Sequence, residues 1–277
     1  MSKKIVICYS GGLDSYIMKR IAEVTEPNAQ VKCIYWHHGQ PVAEKEIATL
    51  PKDVEVRKVD WLNLDGKTTV AQKGRREGAI MIPGRNLVFA VLSACEELPD
   101  EVWIGALHGE THKKGTDKNF VFLERTEELL NYVIGPFLQN DLTIRFPLAE
   151  MELNKSKEVT WALNNGLTKE QLTATRSCHD SNSNGCGNCI QCFKRWCAFG
   201  ENGFSENYDV HPLQSDFGRQ FAYDMLNCEL GRDNYYEEDT RKEVIPYLIY
   251  HYKHNPDVFP KITIDLVEQV IKYRSQT

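Results

Sequence analysis

The sequence predicts an α/β fold: a doubly wound, mainly parallel five-stranded sheet, followed by a cysteine-rich knuckle and a C-terminal helical extension. Three observations carry this. Short apolar runs recur at 5–8, 31–36, 54–59, 102–106 and 142–146. Helix-length stretches separate them, the alternation that parallel crossover connections produce. Four of the nine cysteines then crowd between residues 178 and 192.

Composition bounds the reading further. A chain of 277 residues holds one large α/β domain, or one domain with an appendage. Lys and Arg number 33 against 39 Asp and Glu, a net charge of -6. That balance leaves no footprint for extended nucleic-acid contact, so a tRNA or DNA partner is disfavoured. No signal-peptide core and no stretch of membrane-spanning length stands out, so the expectation is a soluble cytoplasmic protein. An odd cysteine count with four packed closely points to metal in a reducing compartment rather than to disulfides.

The elements follow in order. Ile5-Val6-Ile7-Cys8 reads as a buried strand, and Tyr9-Ser10-Gly11-Gly12-Leu13-Asp14-Ser15 as a tight turn opening a helix. Such a turn gathers backbone N–H groups and a helix N-terminus around one point, an anion site. Gly11 and Gly12 permit close approach of phosphate oxygens and a positive φ. Ser10 and Ser15 add hydroxyls, and Asp14 stands where it caps the helix or holds a metal on phosphates. Leu13, Ile17, Ile21 and Val24 share one helical face. Val31 to Trp36 is the second strand, Glu44 to Leu50 a connecting helix, and Val54, Val56 and Val59 mark the third strand. From Leu62 to Ile82 periodicity fails, and Gln72 to Gly78 reads as a mobile loop. Arg85 and Asn86 stand just before an apolar helix, Leu87 to Cys95, placed to bond phosphate or a planar heterocycle, or to cap the helix through Asn86.

Val102 to Ala106 is the fourth strand. The polar residues after it, His108, Glu110, His112, Lys113, Lys114, Asp117 and Lys118, should face the same site, because ligands bind beyond the carboxyl ends of such strands. Leu123, Leu129, Leu130, Val133, Phe137 and Leu138 fit an amphipathic helix, and Leu142 to Phe146 the fifth strand. Asn154 caps a helix running to Gly166. Cys178, Cys186, Cys189 and Cys192 form Cys-x7-Cys-x2-Cys-x2-Cys, the spacing of a closed tetrahedral zinc site. An iron–sulfur cluster and two disulfides are the alternatives. Cys197 reads as a packing residue, and Cys8, Cys33, Cys95 and Cys228 as small core hydrophobes.

The Ser-Gly-Gly-x-Asp-Ser turn resembles the signature of the PP-loop ATP pyrophosphatases. With the four-cysteine cluster it looks like the 7-cyano-7-deazaguanine synthase family. His38-Gly39-Gln40, Pro83-Gly84-Arg85-Asn86, Pro147-Leu148 with Leu153-Asn154-Lys155, Ser177-Cys178 and Cys186-Gly187-Asn188-Cys189-Ile190-Gln191-Cys192 with Arg195 follow that family's motifs in order, over residues 4 to 200. The family usually has Tyr where His38 stands, and Tyr-Pro-Asp-Cys where this chain has Gly115-Thr116-Asp117-Lys118.

The resemblance implies an adenine nucleotide alpha-hydrolase-like domain over 1–200, including the knuckle at 178–192; residues 201–277 have no counterpart in it and read from their own apolar spacing as a helical extension. Phe217 to Leu226, Val244 to Tyr250 and Ile264 to Ile271 read as added amphipathic helices, either extending the core or forming a homodimer or partner surface. It also implies ATP-dependent conversion of 7-carboxy-7-deazaguanine and ammonia to the nitrile, through an acyl-adenylate and an amide. Tyr9, Ser10, Gly11, Gly12, Leu13, Asp14 and Ser15 would hold the phosphates with Mg²⁺, and the Trp36 backbone would meet adenine. Gln40, Arg85, Asn86 and Asp117 would bind substrate, with Asp14 and Lys155 as catalytic groups. Another PP-loop adenylating activity, an amide-forming ligase or tRNA thiolation, is the nearest alternative. A zinc-stabilised nucleotide-binding module is the other.

Overall fold

The computed structural model describes residues 2–59, 84–112, 115–236 and 238–276. The aperiodic stretch from Leu62 to Ile82, the expected loop Gln72 to Gly78, and Lys113 and Lys114 lie outside the described residues. The chain forms two compact units, residues 1–153 and 154–277.

The first unit contains β1 (Lys4–Cys8), α1 (Leu13–Thr25), β2 (Gln30–His37), α2 (Ala43–Ala48), β3 (Val54–Lys58), α3 (Arg85–Glu97), β4 (Glu101–Trp103), α4 (Phe120–Ile134), β5 (Thr143–Arg145) and α5 (Pro147–Glu150). Five parallel strands lie in the order β3-β2-β1-β4-β5. The central strand is β1, whose Ile5, Val6 and Ile7 are all buried. A strand covered on both faces needs such an unbroken apolar run. Cys8 stands beside Ile34, and Ile7 beside Trp103. The strand order reverses at β1, so a crevice opens beyond Cys8 and Trp103, the place where such sheets hold ligands.

Val6, Ile34, Trp36 and Val59 meet Phe89 and Leu92 of α3 in one apolar cluster. Ala90 and Ala94 of α3 join Val102, Ile104, Ile144 and Phe146 in another, to which α4 brings Leu130 and Ile134. Differences from the sequence reading concern faces and ends. The fourth and fifth strands are shorter than expected, although Ile104 N–H still donates to Arg145 O at 3.0 Å. The buried stripe of α4 is Thr126, Leu130 and Ile134. Leu129 and Val133 sit one residue off that stripe and are exposed, as is Phe137 beyond the helix end. Val24 is likewise exposed, and Cys95 is an exposed thiol rather than a core residue.

The second unit is helical: α6 (Lys155–Asn164), α7 (Lys169–Thr173), α8 (Ile190–Glu201), α9 (Asp216–Glu229), α10 (Glu238–His254) and α11 (Lys261–Arg274). Asn154 caps α6 as expected, its side chain accepting from Lys157 N–H. The C-cap there is Asn165, and Gly166 makes the left-handed turn. Thr168 and Gln171 form a reciprocal capping box on α7. Phe193, Trp196 and Cys197 of α8 share one core with Phe221, Met225, Val244, Leu248, Val267 and Val270 of α9, α10 and α11. The division at residue 200 thus follows the extent of the motifs, whereas α8 packs with the helices after it. No helix among the described residues is long and apolar enough to cross a membrane.

Candidate functional site

The glycine turn begins where β1 ends. Tyr9 N–H still donates to Ile34 O at 2.8 Å, and the chain then leaves the sheet. Gly11 adopts φ +78°, and an added Cβ would lie 3.3 Å from Leu50 Cδ2, so this position demands glycine. Gly12, at φ -82°, is the N-cap of α1 and does not. Ser15 is buried and its Oγ donates to Gly12 O at 2.9 Å, while Ser10 Oγ donates to Ser15 Oγ at 3.2 Å. Both hydroxyls therefore brace the turn. Leu13 and Tyr9 are buried anchors on either side. Asp14 lies in the first turn of α1, and a Cβ on Gly105, just past β4, would stand 3.9 Å from Asp14 Cβ. The turn and the end of β4 thus line the crevice at the strand-order reversal.

Trp36 is two residues beyond Ile34 on the same edge of β2, past the end of β1. Its indole is buried and donates to Ser93 Oγ at 3.2 Å, so only its backbone remains to read a ligand. Gln40 is engaged by the protein: His38 N–H donates to Gln40 Oε1 at 2.9 Å, and Gln40 Nε2 donates to Tyr35 Oη at 2.5 Å. Tyr35 Oη donates in turn to Glu46 Oε2 at 2.5 Å.

Arg85 and Asn86 lie inside α3, at its first two positions, since Gly84 in the left-handed region is the N-cap. Asn86 does not cap the helix. Asn86 N–H donates to Asp117 Oδ2 at 3.1 Å and Asn86 Nδ2 to Asp117 O at 3.0 Å. Two residues that the motifs assigned separately to substrate are thereby joined. Arg85 is exposed beside them. His38, not chosen as a site residue from the sequence, is 4% exposed, with its ring 5.5 Å from that of Phe89. Burial, with the nearby Arg85 charge, pushes its pKa down to about 4, so the imidazole is neutral. A polar residue immediately after a buried strand at the ligand edge was the available signal.

In the second unit, Lys155 opens α6 and is buried, with Nζ 3.1 Å from the fully buried Glu158. Lys155 N–H donates to Glu243 Oε1 at 3.3 Å, and Glu243 pairs with Lys194 at 2.5 Å. The sulfurs of Cys178, Cys186, Cys189 and Cys192 all lie within 4.8 Å of one another. Backbone N–H groups of Asp180 and Cys186 donate to Cys178 Sγ at 3.4 Å, and Asn188 N–H donates to Cys186 Sγ at 3.3 Å. Hydrogen bonds from Cys189 and Cys192 hold the Cys178 thiol well below its ordinary range. Convergent sulfurs that accept backbone N–H donors suit a closed thiolate metal site. No disulfide joins any cysteine.

Arg195 braces the knuckle from α8. It pairs with Glu206 at 2.7 Å and donates to Thr175 Oγ1 at 2.8 Å and Leu172 O at 2.9 Å. Gly187, at φ +69°, passes so close to Val210 that an added Cβ would fall 1.7 Å from its carbonyl oxygen. Gly187→Ala should therefore destabilise the protein by at least about 2 kcal/mol, read as a lower urea midpoint at unchanged slope. A midpoint equal to wild type would contradict the close approach.

Curated proteins similar to this chain include several named 7-cyano-7-deazaguanine synthase. One from Marinobacter nauticus is 24% identical over 226 residues, covering 74% of this chain and 96% of its own length. Others from Campylobacter jejuni subsp. doylei and Psychromonas ingrahamii are each 26% identical, covering 74% of this chain and 97% of their own lengths. The model of the family described as queuosine biosynthesis protein QueC matches residues 4–203, which take in the glycine turn, the α3 turn and all four knuckle cysteines. The chain belongs to the QueC family.

Proposed function

We propose that the protein converts 7-carboxy-7-deazaguanine and ammonia to 7-cyano-7-deazaguanine, using ATP and releasing AMP and pyrophosphate. The observation that supports this most is the braced Ser10–Ser15 turn at the reversal point of a parallel sheet, inside the span matched by the QueC family model. A carboxylate is a poor electrophile because oxide is too basic to leave. Its oxygen attacks the α-phosphorus of ATP, the P–O bond to pyrophosphate breaks, and an acyl-adenylate forms. Ammonia adds to the acyl carbon, a proton is lost, and AMP leaves, giving the amide. Adenylation of the amide oxygen by a second ATP, followed by loss of AMP and two protons, gives the nitrile.

The protein's task throughout is positioning and charge stabilisation. Backbone N–H groups of residues 10–15 receive the outgoing diphosphate. Mg²⁺, bound with Asp14, would neutralise phosphate charge. The Trp36 backbone meets adenine, and Arg85, with the joined Asn86–Asp117 pair, holds the acid. The four cysteines hold zinc as a structural ion that fixes the loop before α8.

Mass spectrometry of products from ATP, ammonia and the acid tests the reading. A nitrile with two AMP per product is expected. Accumulation of amide with one AMP would make the chain an amide-forming ligase, and no product would remove the activity.

A further inference from the structure

We infer that His38 is a specificity-determining contact to the heterocycle of the acid substrate, with Nδ1 pairing to a nitrogen on the deazapurine edge. The inference rests on the functional reading above and deepens it.

Its first support is an unmet hydrogen-bonding atom. His38 is 4% exposed, and among the described residues nothing pairs with its Nδ1. Buried polar atoms are nearly always satisfied, so Nδ1 is left with one hydrogen bond still to make. Position is the second support. His38 directly follows β2 and shares the side-chain parity of Ile34 and Trp36, the face covered by α3. Its ring rests against Phe89, one helical turn on from Arg85. Asn86, the neighbour of Arg85, clasps Asp117. The imidazole therefore stands over the turn of α3 that carries the groups proposed for the acid.

Chemical character is the third support. A neutral imidazole offers one N–H and one lone pair. That complements the amide, amine and pyrrole nitrogens of an uncharged deazapurine better than it complements a carboxylate or phosphate, for which Arg85 is suited. The frame around it is also rigid. Gln40 holds the His38 N–H and is itself held by Tyr35, which bonds Glu46 of α2. Gln40 is then a positioning residue that presents His38, rather than a group that touches substrate.

Steady-state kinetics on the full chain decide it, with acid varied at saturating ATP and ATP varied at saturating acid. His38→Phe keeps a flat ring against Phe89 and removes the polar atoms; His38→Asn returns an amide nitrogen near Nδ1. For His38→Phe the KM for the acid should rise about tenfold, with kcat and the KM for ATP within about twofold of wild type. His38→Asn should recover most of that loss. An unchanged KM for the acid, a rise in the KM for ATP in its place, or an Asn variant no better than Phe would each overturn the assignment. A wild type that forms no product fails the functional reading separately. Calorimetric binding of the acid to wild type and His38→Phe then decides His38, and equal affinity overturns it.

Discussion

Asp14→Ala should lower the rate of pyrophosphate release by at least about a hundredfold, the scale seen when one group aimed at developing charge is removed. The substitution is informative because it costs the fold little. Helix α1 is anchored by Leu13, Ile17, Met18, Ile21 and Ala22, all buried on its other positions. Asp14 contributes no apolar area to that core, and Ala raises helix propensity. Circular dichroism and the melting temperature should therefore match wild type while pyrophosphate release collapses. Undiminished release would remove the glycine turn from the active site, and with it the adenylating mechanism.

Cys186→Ser should abolish binding of one zinc per chain and unfold the second unit cooperatively. Structural zinc binds with roughly 10–16 kcal/mol of apparent free energy in small sites, whereas a whole domain is stable by only about 5–15 kcal/mol. The knuckle leads directly into α8, whose Phe193, Trp196 and Cys197 lie at the centre of the second unit's core. Losing the ion therefore frees the segment that organises those helices. Elemental analysis checks the first part of the prediction, and loss of near-ultraviolet dichroism from Trp196 and its aromatic neighbours checks the second. Iron in place of zinc would overturn the assignment. Full helicity without metal would make the cluster dispensable.

Much of this was legible in the sequence because the carriers were short and local. The run Ile5-Val6-Ile7 read as a buried strand, and the parallel sheet followed from the alternation of such runs with helices. The spacing of Cys178, Cys186, Cys189 and Cys192 specified a cluster whose sulfurs converge. What the sequence concealed was reciprocal and long-range. Asn86 and Asp117 read as two separate substrate groups, with a helix cap as the alternative for Asn86, because nothing in the chain signals that Asp117 would fasten to it across 31 positions. The bonds of Gln40 to His38 and Tyr35 were not foreseen, because they depend on how the loop folds back. Lys155 is buried beside Glu158, a pairing that spacing permits but does not demand. Faces of α4 were misjudged for a simpler reason: it carries more apolar residues than one buried stripe can use.

The strand order also sets the sequence of events on the ribosome. β1 can pair with β2 within about thirty residues of synthesis, since Ile5 meets Val31, but its other neighbour arrives only with Glu101 to Trp103. Until then one edge of β1, whose Ile5, Val6 and Ile7 are all apolar, stays open, and unpaired apolar edges invite aggregation during slow, non-local assembly. Helices α9 to α11, whose contacts are closer in sequence, face no such delay. Nascent chains stalled between β3 and β4 should accordingly be the species that chaperones capture most, and chains released after β5 should be captured least.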